Sequence, residues 1–145
     1  MLDQINQHLK EAMKAKDQVS LRSLRLIKAT LMLLHTESRG NPSAEDEMAA
    51  LIKMAKQRRD SIEIYHKEGR SDLQATEEEE LAVIERYLPQ QMGEEELRAG
   101  LNEIISETGA DSMKDMGKVM GMATQKFKGM ADGKLISQLV RELLS

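Results

Sequence analysis

The residues best suited to chemistry in this chain lie toward its C-terminus, where lysines alternate with glycines. Lys118, Lys126, Lys128 and Lys134 carry the positive charge, and Gly117, Gly121 and Gly129 punctuate the same stretch. Ammonium groups beside the open amides of a helix N-terminus bind phosphate, by charge and by N–H donation together. Lys126 and Lys128 before a glycine stop, with Lys134 and the first amides of the next helix behind it, have the types and order such a cradle needs. A solvated turn with ordinary surface lysines is the alternative. Gly117 and Gly121 stand four apart and on a helix share one face. Each costs about 1 kcal/mol of helix propensity relative to alanine, so a compensating use is expected. Tight packing against a neighbouring helix is the preferred use. A groove that admits a partner, an RNA backbone included, is the other.

Covalent chemistry has no comparable support. His8, His35 and His66 fall on different helical stretches, none three or four residues from another, so no nucleophile has a base beside it. Glu77, Glu78, Glu79 and Glu80 occupy consecutive positions that fan around a helix axis instead of converging on a cation, and read as a solvated turn. There is no phosphate-cradling glycine motif, serine elbow or metal-spaced acid cluster. No catalytic residue, metal or cofactor is expected. The absence of cysteine excludes disulfides and zinc–thiolate sites and fits a reducing compartment. Arg22, Arg25 and Lys28 form a secondary basic patch on one side of the second helix, and Lys53, Lys56, Arg58 and Arg59 crowd the third. Solvated faces are the default for both.

Seven helices must position these residues. Leu2, Ile5, Leu9 and Met13 mark the first, and Leu21, Leu24, Ile27, Leu31 and Leu34 the second, which ends before Gly40-Asn41-Pro42. Ser43, followed by Glu45, Asp46 and Glu47, caps a long third helix that runs to Glu68. Its expected apolar stripe is Met48, Leu51, Ile52, Ala55, Ile62 and Tyr65. A fourth helix starts near Ser71 and ends at Leu88, because the residue before Pro89 is disfavoured in the helical region. Three shorter helices follow, carrying Leu97 to Ile104, Met116 to Phe127, and Leu135 to Leu143, with Gly109, Gly129 and an Asp132 cap between them. The expectation is an all-α protein: an N-terminal helical domain of about four helices over residues 1–88, then a small three-helix domain over 93–145.

Aromatics are only 2% of the 145 residues, so the core must be aliphatic, and the six methionines from Met92 onward read as core filler. No apolar run exceeds five residues, against the ~20 of a membrane span. A soluble, cytoplasmic protein without membrane association is expected. The net charge of −4 argues against bulk electrostatic binding of nucleic acid, and no DNA partner is expected. The charge is uneven, however. Residues 89–111 hold one cation (Arg98) against six acids, whereas residues 112–145 hold six cations against three acids, a mild indication of an anionic partner. Phe127 is the only aromatic near the lysines, so base stacking is not expected to carry sequence-specific recognition.

Three blocks carry a family resemblance: Lys56-Gln57-Arg58-Arg59-Asp60-Ser61 leading to Gly69-Arg70-Ser71-Asp72-Leu73; Glu85-Arg86-Tyr87-Leu88-Pro89-Gln90-Gln91; and Asp115-Met116-Gly117-Lys118-Val119-Met120-Gly121, continuing to Lys128-Gly129 and Ala131-Asp132-Gly133-Lys134. In this order they resemble the GatB/YqeY family of small bacterial proteins, over essentially the whole chain. That family is similar to the tail region of the B subunit of tRNA-dependent amidotransferase. The resemblance implies an all-helical fold and a non-catalytic accessory module with tRNA as its partner. A protein of the translation machinery is the alternative partner. Carbon–nitrogen ligase activity with glutamine as amido donor, within an amidotransferase complex, ranks below both. One departure is Met130, where family members often carry arginine after the Lys-Gly pair.

Overall fold

The computed structural model describes residues 1–145 and contains seven α-helices and no strand. The chain divides into two compact units, Met1–Leu88 and Pro89–Ser145.

The first unit holds α1 (Leu2–Ala15), α2 (Gln18–Glu37), α3 (Ala44–Lys67) and α4 (Ser71–Glu85). The junctions follow local rules. Lys16 closes α1 in the left-handed region (φ 56°), and the Asp17 carboxylate accepts the backbone N–H of Ser20 to open α2. Ser43 and Asp46 form a reciprocal capping box at the start of α3, whose 24 residues make a rod of about 36 Å. α2 is the central element, packing on α1, α3 and α4. Ile5, Leu21, Leu24, Ile27, Leu31, Leu51, Met54, Ala55, Val83 and Ile84 fill the space between the four helices.

Four expectations for this unit are corrected. Met13, placed in the inward stripe of α1, is 56% exposed, and Ala12 is buried instead. In the stripe of α3 only Leu51 and Ala55 are buried; Met48, Ile52, Ile62 and Tyr65 are half-buried. Beyond Ala55, α3 and α4 are joined by ion pairs. Arg58 Nη1 donates to Glu77 Oε2 (3.2 Å) and Arg59 Nη2 stands 3.7 Å from Glu85 Oε1. The glutamate run is therefore a solvated turn only in part: Glu78 and Glu79 are exposed, whereas Glu80 is only 7% exposed and lies between Arg22 and Arg58, its oxygens 3.3 Å from each Nε. The Arg58 Nε–Glu80 contact is too poorly aligned for a hydrogen bond and acts as a Coulombic pair. Fanned positions on α4 meet arginines because two helices, not one, flank it. Finally, α4 stops at Glu85, not Leu88. The amides of Arg86, Tyr87 and Leu88 bond three residues back, to Val83, Ile84 and Glu85, the tightened turn common at helix ends.

The second unit holds α5 (Glu94–Thr108), α6 (Met116–Lys126) and α7 (Gly133–Leu144), with a 3₁₀ turn at Met113–Asp115 that the periodicity did not reveal. Gly109 ends α5 at φ 69°. Leu97, Leu101, Ile104, Val119, Ala123, Phe127, Ile136, Leu139, Val140 and Leu144 form its core. Residues 89–92, expected as linker, belong to this unit: the Met92 amide donates to the Met130 carbonyl (2.9 Å) and Gln91 Nε2 to that of Gly129 (2.6 Å). Met92, Met116, Met120 and Met130 do pack against this core, but Met113 and Met122 are exposed at 45% and 40%. The filler role thus covers four of the six methionines.

Candidate functional site

Helix α6 presents two faces of opposite character. At about 100° per residue, Thr124, Gly117, Gly121, Gln125 and Lys118 follow one another across an exposed arc of about 120°. Val119, Ala123 and, just past the helix end, Phe127 occupy the buried side. The packing use preferred for the glycines is overturned: a Cβ built on Gly117 or on Gly121 meets no atom within 4 Å. Both stand on the solvent side, so nothing in the unit requires their smallness. The glycine that does admit a close neighbour is Gly100 on α5, where a Cβ would lie 2.6 Å from Phe127 Cζ. No local pattern around Gly100 singles it out. The available signal was the lone aromatic of the unit, which needs a slot on a facing helix.

Gly129 has a third role. It lies at φ 77°, in the left-handed region, and lets the chain turn between α6 and α7. Its carbonyl takes the bond from Gln91, which leaves this glycine to turn chemistry.

The four lysines do not form one cluster. Lys126 and Lys128 flank the end of α6 and Lys134 opens α7, whereas Lys118 lies eight residues before Lys126, about 12 Å away along the helix axis. Lys118 instead borders the glycine strip. Lys126 Nζ is 3.8 Å from Glu103 Oε2 and 5.7 Å from the Phe127 ring centroid, so an α5 acid offsets part of its charge. The open amides expected at the start of α7 are partly taken: the Asp132 carboxylate accepts the Lys134 N–H at 3.3 Å. An anion approaching there meets that carboxylate. The lysines thus lie in two places, Lys118 beside the exposed strip of α6 and the other three around the turn between α6 and α7. Asp115 serves the loop before α6, accepting the Asp111 N–H at 3.2 Å.

The secondary basic patch is split in the same way. Arg22 turns toward α4, with Nη2 3.0 Å from Glu79 Oε2 in addition to its Glu80 contact. Arg25 and Lys28 face α1 and enter none of the ion pairs. Two histidines make local contacts, His8 Nδ1 sharing a hydrogen bond with the Tyr87 hydroxyl and His35 Nε2 lying 3.8 Å from Glu47, and His66 is exposed. Burial raises the Tyr87 pKa above its ordinary value, so the phenol stays protonated at neutral pH. No three His, Cys, Asp or Glu side chains converge in the way a metal site requires. No helix is long and apolar enough to cross a membrane.

Comparison with known proteins matches residues 2–144 to the model of the Yqey-like protein family. "Altered inheritance of mitochondria protein 41, mitochondrial" from Vanderwaltozyma polyspora is 30% identical over 120 residues, 77% of this chain and 64% of the fungal protein. The protein of the same name from Eremothecium gossypii is 34% identical over 88 residues, 60% of this chain and 48% of the relative. The chain thus spans between about half and two thirds of the length of these fungal relatives. The E subunit of glutamyl-tRNA(Gln) amidotransferase from Thermococcus sibiricus is 39% identical over 70 residues, 48% of this chain but 10% of its own length. Relatives therefore extend beyond the small bacterial proteins that the sequence motifs resemble.

Proposed function

Because this chain belongs to the YqeY-like family, we propose that it is a non-catalytic accessory module that engages tRNA through the exposed strip of α6 and the lysines around it. The observation that carries the reading is the open space over Gly117 and Gly121, with Lys118 beside them. Two glycines that weaken a short helix, Gly121 by about 1 kcal/mol and Gly117 by about half that, and pack against nothing are accounted for by a partner whose backbone approaches α6 closely. A phosphodiester backbone beside an ammonium group fits such a strip by shape and charge, without base stacking. Relatedness to an amidotransferase component named for glutamyl-tRNA(Gln) supplies the nucleic-acid class. The reading places the protein in a translating compartment, with the cytoplasm as the simplest case.

Binding of bulk tRNA at low salt tests this directly. The wild-type chain is expected to bind more tightly than the ~10⁻⁴ M of non-specific association, and to weaken steeply as salt rises. Lys118→Glu combined with Lys126→Glu, Lys128→Glu and Lys134→Glu should flatten the salt dependence, by about one unit of slope for each phosphate no longer neutralised. Gly121→Leu should impair binding without unfolding the unit, since its side chain enters open space. Wild-type affinity no better than non-specific levels defeats the proposal. Partners that survive ribonuclease in a pull-down, and disappear with Gly121→Leu, would assign the strip to a protein instead.

A further inference from the structure

A second surface lies on the N-terminal unit, independent of the α6 strip. Asn6, Leu9, Lys10 and Met13 of α1 and Leu21, Arg25 and Lys28 of α2 line a groove of about 500 Å³. Leu21 is buried at its floor, Leu9 is half-buried, and Met13, 56% exposed, forms an apolar edge. Three cations and no acid line this groove. Asp3, one turn before Asn6 on α1, is outside the lining.

The groove is lined by cations alone on a chain that is acidic overall. The net charge is −4, and Arg22, Arg58, Arg59, Arg70 and Arg98 are each paired with a carboxylate. Lys10, Arg25 and Lys28 enter no ion pair, although Arg22 stands only one turn before Arg25. Three like charges held along an apolar trough repel one another, and an occupant bearing acids relieves that repulsion. Methionine at the edge suits it to a flexible apolar contact.

We propose that this α1–α2 groove docks an acidic amphipathic helix of another protein. An apolar anchor enters between Leu9, Met13 and Leu21, and flanking Asp or Glu side chains meet Lys10, Arg25 and Lys28. Helix-in-groove recognition uses this combination of a trough and a charged rim. A nucleic-acid backbone has no use for the apolar floor, and a lipid surface cannot follow a concave one, so charge and shape together select a protein helix.

The probe is a fluorescein-labelled helical peptide with leucines along one face and glutamates elsewhere, titrated into the full-length chain carrying ¹³C-methyl methionine. Binding should weaken with salt, and the Met13 methyl resonance should shift while that of buried Met54 stays in place. Lys10→Glu combined with Arg25→Glu and Lys28→Glu should cost at least about tenfold in affinity. Met13→Ser, at an exposed position, should weaken binding with the fold intact by circular dichroism. The proposal is overturned if a glutamine-for-glutamate peptide binds equally well, or if the charge reversals change nothing. It is equally overturned if the Met13 shift appears with phosphatidylserine vesicles or tRNA but not with the peptide, or with increasing protein concentration alone, which would assign the groove to a lipid, a nucleic acid or a second copy.

Discussion

Replacing Gly121 with alanine separates two accounts of the α6 glycines by the sign of the effect. If the glycines served packing, a methyl group would collide and destabilise the unit. The structure leaves the space empty: nothing stands within 4 Å of a Cβ at position 121. What remains is the entropic gain of alanine over glycine in a helix interior, about 1 kcal/mol. Gly117 is the second residue of α6, where part of the helix cost is not yet incurred, so Gly117→Ala should stabilise by about half as much. For a small domain, 1 kcal/mol raises Tm by about 4–8 °C. The assay is hydrogen exchange of the α6 amides, Val119 and Ala123 among them, in the full-length chain. It reports on the second unit alone, whereas tyrosine fluorescence sees only the first, through Tyr65 and Tyr87. Protection should rise about fivefold for Gly121→Ala. Gly100→Ala is the internal control. Its methyl would lie 2.6 Å from Phe127 Cζ and 3.2 Å from Cε1, so overpacking of about 1–3 kcal/mol should outweigh the propensity gain. Destabilisation by Gly121→Ala would refute the open-face account and return these glycines to packing. Stabilisation accompanied by weaker tRNA binding would show that the chain retains them for a partner at the expense of its own stability.

Other perturbations address the rest of the molecule. Ser43→Ala removes one half of the α3 capping box and should lower the first unit's urea midpoint by the equivalent of about 1 kcal/mol. Glu80→Gln leaves Arg22 and Arg58 facing a neutral amide. The expected loss is about 2 kcal/mol, less than the roughly 3–5 of a fully buried pair because Arg22 keeps 43% of its side chain in water. Hydrogen bonds from the Ser20 side chain, then from its amide, hold the Asp17 carboxyl below its ordinary 3.8, with help from the Arg86 charge. A depressed folded-state pKa stabilises above the unfolded value and is lost as pH falls through the folded one. The stability difference between wild type and Asp17→Ala, read by urea unfolding, should therefore be full at neutral pH, begin to shrink as pH approaches 3.8, and keep falling until pH is below the lowered folded-state pKa. Glu142, whose carboxyl is held low first by its hydrogen bond from Arg98 and then by Gln138, should show the same sign of acid dependence in the second unit.

The helices and most of their ends are legible in the amino-acid order alone. Periodic aliphatic residues, Ser43 and Asp132 as caps, and Gly69, Gly109 and Gly129 as stops act within a single turn of chain, and the structure reproduces them. Side-chain burial was legible where one face of a helix dominates, as in α2, and failed at the flanks, as at the end of α7, where Leu144 is buried and the expected Leu143 only half-buried. Met13, Glu80 and the C-terminal half of α3 all sit at the edge of an apolar stripe, where a rotation of a few tens of degrees decides between solvent and a neighbouring helix. That rotation is set by the whole packing arrangement, to which distant residues contribute, and leaves no local trace. The candidate sites show the same limit. Gly117 and Gly121 were identifiable as costly, but only the fold shows that their face is open and that Gly100 receives Phe127. Arg22, Arg25 and Lys28 share one side of α2, yet three other helices surround it, and α4 supplies acids to one flank while α1 adds Lys10 to the other. Charge and smallness belong to the residue; whether they are neutralised, buried or left available is decided by which helix packs alongside.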